Sequence, residues 1–406
     1  MSRVVVLGGC GGVGSVAVRT LASGDFFDEI VVAEKRYEAA CEMAEALDPK
    51  RVKAASVDVE KEDSIGKVIE GSTVVVNCIG PFYRYGPPVL KAVIASGIDY
   101  VDVCDDLDAT EAMLALDDNA RKAGVSALIG MGNSPGLANV LARWCADEML
   151  AEVESVDIYH AHGGEPTEGA AVIKHRIHAM TSEIPLFVDG RFITVRMLEE
   201  SGQAFVEETE FRDIGTYPVY PYPHPETITL PKHLKGIKRV TNNGVVIPLD
   251  YFRLTMDTVR LGICIEEPLT VQGSAVVPIE FAVAYIISKR PALLAAAGLK
   301  EPTGCLKVKV SGKKDGDPHT YIFSMTSKGA GAGEGTGIPA ALGAIMMSEG
   351  EIDLKGVFPP EAGVRPLDML KLAGQVIKGT GMGNEVPIFI EHIDGDGKKE
   401  SIDFKI

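Results

Sequence analysis

At 406 residues, 46% of them hydrophobic, the chain is long enough for two or three domains with substantial cores. Its net charge of −17 argues against nucleic acid as a partner, because phosphates need a basic surface. No uninterrupted apolar stretch approaches the roughly 18 residues of a membrane helix, and the best candidate, residues 275–287, is broken by Pro278 and Glu280.

The first residues, Met1-Ser2-Arg3, run directly into a strand, so no signal peptide is expected. Seven cysteines without a C-x-x-C fit reduced thiols and a cytoplasmic protein. Residues 4–7, Val-Val-Val-Leu, lead into Gly8-Gly9-Cys10-Gly11-Gly12-Val13-Gly14 and then a helix carrying Val16, Val18 and Leu21. Gly9, Gly11 and Gly14 fill a G-x-G-x-x-G pattern. A second apolar run, Ile30-Val31-Val32-Ala33, ends at Glu34. This strand–loop–helix predicts a dinucleotide site. Gly9 permits the turn, Gly11 lets a pyrophosphate approach, and Gly14 lets helix and strand pack closely. The helix start at Gly12 and Val13 offers free N–H groups. Glu34 accepts from a ribose diol, which favours NAD; Lys35 and Arg36 favour a 2′-phosphate, so NADP stays open. The bland alternative is a glycine turn with a solvated acid.

Residues 52–59 form a third strand that sets Asp58 and Val59 near the adenine. Residues 73–79 are a continuous apolar run, hence a buried parallel strand. Cys78, Ile79, Gly80 and Pro81 at its end are expected to line the cofactor. A helix follows over 87–95, then a strand over 99–103, a helix over 109–123 and a strand over 125–129. Six strands with helical crossovers predict an α/β fold, a Rossmann doubly wound parallel sheet, over residues 1–140.

The pattern changes after Gly132-Asn133-Ser134-Pro135-Gly136. A long helix is expected over 137–149, capped by Asn133 or Ser134 with Pro135 in its first turn. A strand over 153–159 leads to a loop, His160-Ala161-His162-Gly163-Gly164-Glu165-Pro166. Residues 141–326 read as an α+β domain. Its strands include 191–195 and 244–247, and a hairpin turns at Asp315-Gly316. The Pro- and Tyr-rich stretch 217–224 is excluded from a central strand. Residues 327–406 form a last segment. They hold a second glycine-rich segment (327–337), read as a loop beside the cofactor with Thr336 capping a helix over 338–348. A helix over 367–377 and a C-terminal hairpin over 386–393 and 401–406 follow.

Several motifs together resemble the saccharopine dehydrogenase family, in the branch of saccharopine reductase, lysine dehydrogenase and carboxynorspermidine dehydrogenase. They are the glycine loop at 7–14, Asn77-Cys78-Ile79-Gly80-Pro81-Phe82, Tyr100-Val101-Asp102-Val103-Cys104-Asp105, 132–139, Gly163-Gly164 with Pro166, and Gly335-Thr336-Gly337-Ile338-Pro339-Ala340-Ala341. The resemblance implies a catalytic and dimerisation domain inserted into the cofactor domain, which residues 327–406 return to complete, a homodimer, and NAD(P)-linked chemistry at a C–N bond of an amino acid or opine. It also implies that the loop with His160 and His162 faces the cofactor, with His162 at the family's Cys position. Glu34-Lys35-Arg36 and Pro81-Phe82 depart from the reductase pattern, which leaves the substrate open between an amino acid and a diamine-derived compound. Reductive condensation in polyamine synthesis is one alternative, and a non-catalytic NAD-binding protein is another.

Amine oxidation through an imine needs a base near its working pH, and histidine meets that need. Side-chain alternation is expected to aim one of His160 and His162 at the site, and His162 is favoured. Asp102 is a second acid/base candidate, or a helix-capping acid. The basic run Lys174-His175-Arg176-Ile177-His178 is either a carboxylate clamp, through Lys174, Arg176 and His178, or a solvated face. Phe82, Tyr83 and Asp105 complete the expected substrate wall. His-x-His lacks a third ligand at convincing spacing, so no metal is expected.

Overall fold

The structure, a computed structural model, describes residues 2–61, 64–329, 331–380 and 388–404. Seven parallel strands form the first sheet: β1 (Arg3–Leu7), β2 (Glu29–Glu34), β3 (Val52–Ser56), β4 (Val74–Asn77), β5 (Asp99–Asp102), β6 (Ser126–Leu128) and, from the returning chain, β17 (Gly356–Phe358). Their order is β17-β6-β5-β4-β1-β2-β3, so the strand order reverses between β1 and β4. In such sheets ligands bind at that switch point. Val4, Val5, Val6 and Leu7 are fully buried, as a strand covered on both faces requires.

Helices α1 (Gly14–Ala22), α2 (Tyr37–Leu47), α3 (Ser64–Ile69), α4 (Phe82–Ala95), α5 (Leu107–Leu114) and α6 (Asp117–Ala123) make the crossovers. The single helix expected over 109–123 is two, divided at Ala115-Leu116. Helix α7 (Leu137–Trp144) ends in a wider turn over Cys145–Met149 rather than running on as regular helix. Gly136 occupies its N-cap, and the Asn139 side chain accepts the Gly136 N–H at 2.9 Å. Neither Asn133 nor Ser134 is the cap, which leaves the Ser134 hydroxyl for another use.

The second sheet is mixed. Its main path holds β7 (Glu152–Gly163), β10 (Glu207–Phe211), β11 (Gly215–Pro221), β12 (Arg239–Ile247), β15 (Thr303–Lys314), β16 (Asp317–Lys328), β18 (Phe389–Ile393) and β19 (Lys399–Ile402), in the order β10-β11-β12-β7-β15-β16-β18-β19. A side branch of β8 (Ile184–Val188) and β9 (Arg191–Val195) joins at β12, and β13 (Leu269–Val271) pairs with β14 (Ser274–Val276) separately. Contrary to expectation, the Pro-rich β11 lies between two strands. It tolerates this because it meets β12 at only Tyr220 and Pro221. Helices α8 (Ala170–Thr181), α9 (Glu200–Gln203), α10 (Glu226–His233), α11 (Leu249–Arg260) and α12 (Pro278–Ala296) cover this region. Val386, Pro387, Lys405 and Ile406 of the expected terminal hairpin lie outside the described residues.

The return segment supplies α13 (Ala332–Ser348), α14 (Pro360–Gly363) and α15 (Pro366–Thr380). Helix α13 starts earlier than expected and takes the second glycine segment into its first turns. Its N-cap is Gly331, whose N–H donates to Glu334 at 2.8 Å, so Thr336 is not the cap. The glycines are there for contact. A Cβ on Gly333 would stand 2.7 Å from the Gly12 carbonyl, and one on Gly337 would stand 2.6 Å from that of Val13. The second glycine segment is therefore packed directly on the first.

Candidate active site

The glycine loop is built by close backbone packing. A Cβ on Gly14 would lie 2.2 Å from the Gly8 oxygen, and one on Gly9 would lie 2.8 Å from Val32. Gly12 has open space where a side chain would stand, and Gly11 has only the Gly8 oxygen at 3.3 Å. The amides of Gly12, Val13 and Gly14 have no acceptor among the described residues, and α1 has no side-chain cap. Free N–H groups at a helix start, in open space, suit a pyrophosphate.

The Glu34 carboxylate turns back onto this loop, accepting the Cys10 N–H at 3.3 Å and the Lys35 N–H at 2.9 Å. Lys35 reaches instead to Asp58, at 3.4 Å, and to Glu60, while Arg36 is exposed. Val59 is half-buried beside them. At the end of β4, the Cys78 N–H donates to Leu7 and the Ile79 N–H to the Asn77 side chain. Burial pushes the Cys78 thiol up to about 12, so it stays protonated. Gly80 has no neighbour within reach of a Cβ, and Pro81 caps α4.

Beside α13 lies a cavity of about 330 Å³. The first domain lends it Asp105, Asn133 and Ser134, and the start of α13 lends Gly331, Glu334, Gly335 and Thr336. The second sheet lends His160, His162, Tyr222, His224, Gly304 and Cys305 among others, and α8 lends His175 and Arg176. The glycine loop is not part of its wall; α13 joins the two by touching both.

Both histidines of the pair face this cavity. Strand β7 runs through to Gly163, so the pair sits on a strand and not in a loop. Residues two apart on a strand share a face, so the expectation that one turns away fails. Their rings stack 6.0 Å apart. His160 also stacks on His224 at 5.1 Å and meets the Tyr222 ring edge-on at 5.3 Å. Gly244, opposite on β12, makes the room, since a Cβ there would fall 2.0 Å from the His160 ring. Burial and the neighbouring imidazoles push His160 well below its ordinary range. Burial and the Arg176 charge also lower His162.

The basic run forms part of α8, so its side chains splay around the helix. Lys174 points outward to Glu280. His175 spans the two domains, with Nδ1 3.2 Å from Asp106 and Nε2 3.7 Å from Asp105. Burial opposes its charge, but the two carboxylates prevail and raise it to about 9. Donor atoms of Asp105, Asp106 and His175 lie within 4.8 Å of one another. An imidazolium between two carboxylates accounts for that cluster without an ion. Arg176 is 2% exposed, paired with Glu168 and 5.3 Å from the Tyr251 ring. His178 belongs to a smaller neighbouring hollow and lies 5.2 Å from the Tyr83 ring.

Three more expected site residues stand off the cavity wall: Tyr83, which is exposed and whose N–H donates to Asp106 at 3.0 Å, Phe82 and Asp102. Phe82 is the first residue of α4 and is buried in the core rather than on the cavity wall. Asp102 is fully buried and accepts from Tyr100 Oη at 2.9 Å, the Cys104 N–H at 3.0 Å and the Gly130 N–H at 2.7 Å. Burial pushes it up to about 6 against these donors. It fastens the ends of β5 and β6 and does not line the cavity.

The sequence reading missed a polar cluster beneath the stack. Glu226, fully buried at the start of α10, accepts from Ser134 Oγ and from Asn242 Nδ2 at 3.3 Å. His224 Nδ1 is 3.6 Å from the Glu226 carboxylate. The available signal was His224-Pro225-Glu226, an imidazole and an acid two positions apart after a proline-rich strand.

Residues 4–128 match the saccharopine dehydrogenase NADP binding domain. The match spans the first domain, from the first strand through β6. The fold agrees over the whole chain: saccharopine dehydrogenase (L-Glu forming) of Saccharomyces cerevisiae superposes with a TM-score of 0.68 at 17% identity, covering 99% of this chain and 100% of that one. Two relatives also match at nearly full length. Carboxyaminopropylagmatine dehydrogenase of Synechocystis sp. is 25% identical over 382 residues, covering 89% of this chain and 92% of that protein. Carboxynorspermidine synthase of Vibrio cholerae is 25% identical over 391 residues, covering 87% and 90%. The saccharopine dehydrogenase-type domain binds NAD(P), and the glycine loop, the open amides and Glu34 fit that cofactor. Among the described residues no helix is long and apolar enough to cross a membrane.

Proposed function

We propose that this chain is an NAD(P)-dependent oxidoreductase that makes or breaks a carbon–nitrogen bond in a small carboxylated amine, working as a cytoplasmic homodimer. The carrying observation is the charge pattern of the cavity. Arg176 and the His175 imidazolium stand on one side, and the carboxylates of Asp105, Glu165 and Glu334 line the same space. A substrate with both a carboxylate and amines matches it. The two relatives whose names contain carboxylated polyamines support the polyamine form of the reading over the saccharopine form.

Gly9, Gly11, Gly12, Val13, Gly14 and Glu34 hold the dinucleotide, with Asp58 and residues 78–81 beside them. When bound, the cofactor supplies hydride transfer to or from the carbon that bears nitrogen. Arg176 is held rigid by Glu168 and Tyr251 and offers its guanidinium to a substrate carboxylate. Tyr222, whose hydroxyl burial raises to about 12, remains a hydrogen-bond donor throughout the working range. The neutral imidazoles of His160 and His162 form a wall that tolerates a substrate ammonium.

The test is turnover of carboxynorspermidine, carboxyaminopropylagmatine and saccharopine with NAD⁺ and with NADP⁺, followed as reduced cofactor. One of the first two is expected to give the highest kcat/KM. Dinucleotide binding with no turnover of any of the three marks a non-catalytic binding protein instead.

A further inference from the structure

Three imidazoles line one wall of the cavity, and among the described residues His224 is the one of the three with a carboxylate close enough to pair with it. His224 Nδ1 lies 3.6 Å from Glu226 Oε2 and 3.5 Å from Ser134 Oγ. Such distances exceed a tight hydrogen bond, as is common before substrate closes a site. Glu226 is held from both domains, by Ser134 of the first and Asn242 of the second. Among the described residues its Oε2 has no other partner, and the Nε2 of His160, itself only 8% exposed, has none either.

The other carboxylates near the stack are engaged elsewhere. Glu168 is tied to Arg176 and Arg290, and Glu165 to Arg290. A proton on His162 would be buried and sit against Arg176, whose charge outweighs that of Glu165 or of Glu168, and one on His160 would sit between two other imidazoles. The stacked rings do not converge their nitrogens as a metal site requires; the convergent ligand atoms among the described residues are those of Asp105, Asp106 and His175. From α14, Glu361 faces Glu226. Burial raises it to about 7, so it gains charge next to Glu226 as pH rises above that value.

We propose that His224, with Glu226 behind it, is the group that carries the proton when water adds to the substrate imine and the amine departs. Ser134 and Asn242 are positioning residues for Glu226. The proposal rests on the carbon–nitrogen reading above. A water oxygen bonds to the carbon of the protonated imine while the C=N π pair moves to nitrogen, and one water proton passes to His224, leaving a neutral carbinolamine. The carbinolamine then collapses: the proton on His224 goes to the departing nitrogen as it takes the C–N bonding pair, the O–H pair becomes the carbonyl π bond, and the hydroxyl proton passes to the imidazole that has just been vacated. Condensation is the same sequence reversed. The imidazolium formed midway is stabilised by the buried carboxylate, the logic of a histidine backed by an acid.

The experiment compares His224→Gln, His162→Gln, Glu226→Gln and Glu226→Asp in the cofactor-loaded protein, with carboxynorspermidine and carboxyaminopropylagmatine as substrates. His224→Gln is expected to lower kcat by roughly 10²–10⁴-fold, the usual contribution of a general acid–base group, and to remove one limb of the pH profile. Cofactor affinity should stay unchanged. Glu226→Gln should displace that limb, and Glu226→Asp should restore part of the rate. Nitrogen NMR of labelled histidines gives a reading independent of turnover: the ring signals that move in Glu226→Gln should be those of His224. Loss of the limb in His162→Gln but not in His224→Gln overturns the proposal. So do His224 signals indifferent to Glu226. If the unaltered chain turns over none of the substrates while the NMR coupling is present, the carbon–nitrogen reading falls, and the proposed reaction falls with it.

Discussion

The glycine loop and the histidine cavity are neighbours across α13, yet they are assembled in different ways. The loop is almost wholly backbone, drawn from residues 8–14 with one acid from the next strand. Its geometry is enforced by what cannot be present: a Cβ at Gly14 would collide with the Gly8 carbonyl at 2.2 Å. The cavity is made of side chains from Ser134, His160, Arg176, His224 and Thr336, brought together by two sheets and a returning helix. A site made of consecutive backbone is specified by local sequence. A site made of converging side chains is specified by topology.

Substituting the loop tests the first half of that contrast and carries the largest expected effect. Gly11→Val should keep the fold, because a Cβ there meets only the Gly8 oxygen at 3.3 Å. The branched side chain would fill the space a pyrophosphate must enter. Dinucleotide affinity is expected to fall by about 100-fold or more, about 2.7 kcal/mol, with thermal unfolding almost unchanged. Titration calorimetry and a melting curve on one sample check both parts. Undiminished affinity in a folded variant means the loop is only a turn.

The same contrast explains what was legible in the sequence. The Rossmann strands were readable because each is an unbroken apolar run, and the loop because its glycines fall at fixed spacing. His160 and His162 are legible as a pair, but their shared direction is not, because β7 continues through the glycines to Gly163 and residues two apart on a strand share a face. Lys174, Arg176 and His178 looked like one basic clamp, and the helix that carries them sends them to three different surroundings. Asp102 looked available because it follows a strand at the ligand end of the sheet. The donors that bury it come from Tyr100, Cys104 and the distant Gly130. Glu226 escaped notice because its partners Ser134 and Asn242 are far away in sequence. Ser134 itself had been assigned to a helix cap that Gly136 fills.

The cavity has one position where backbone absence matters as much as it does in the loop. Gly244→Ala would place a methyl 2.0 Å from the His160 ring, which His162, His224 and Tyr222 already box in. Overpacking of this kind costs about 1–3 kcal/mol, and a 1 Å misplacement of a site group can cost about 10²-fold in rate. Both losses are expected, in melting temperature and in kcat. Gly304→Ala, opposite His162 on β15, is the control: a Cβ there comes no nearer than 3.3 Å, to the Ala161 carbonyl oxygen, so both effects should be much smaller. Equal effects at the two glycines mean that the stack adapts and its geometry is not specified.

Cofactor choice is the next smaller effect, and it sharpens the idea that the loop region is read locally. Glu34 already accepts two backbone N–H groups, and Lys35 is drawn to Asp58 and Glu60, which leaves Arg36 as the exposed cation. Glu34→Ser removes the acceptor for a ribose diol and the repulsion of a 2′-phosphate together. NAD affinity should fall about tenfold, about 1.4 kcal/mol, and NADP affinity should rise by a similar factor. Dissociation constants for both cofactors decide it. Tighter binding of NADP than NAD by the unaltered chain reverses the assignment and makes Arg36 the selecting residue.

The smallest expected effect separates two residues only two positions apart in the sequence. Lys174 and Arg176 are both basic and both fall in the run that invites reading as a carboxylate clamp. Lys174 pairs with Glu280 at the surface, where its side chain is 37% exposed and its partner's is 60%. Exposed pairs contribute about 0–1 kcal/mol and weaken with salt. Arg176 is buried against Glu168 and Tyr251, with its guanidinium on the cavity wall. Lys174→Ala should therefore leave KM and kcat unchanged and shift stability by no more than about 1 kcal/mol, a shift that added salt erases. A tenfold rise in KM for Lys174→Ala places the substrate carboxylate outside the cavity, on the solvent face of α8. The charge pattern assigned to Arg176 and His175 would then have to be given up.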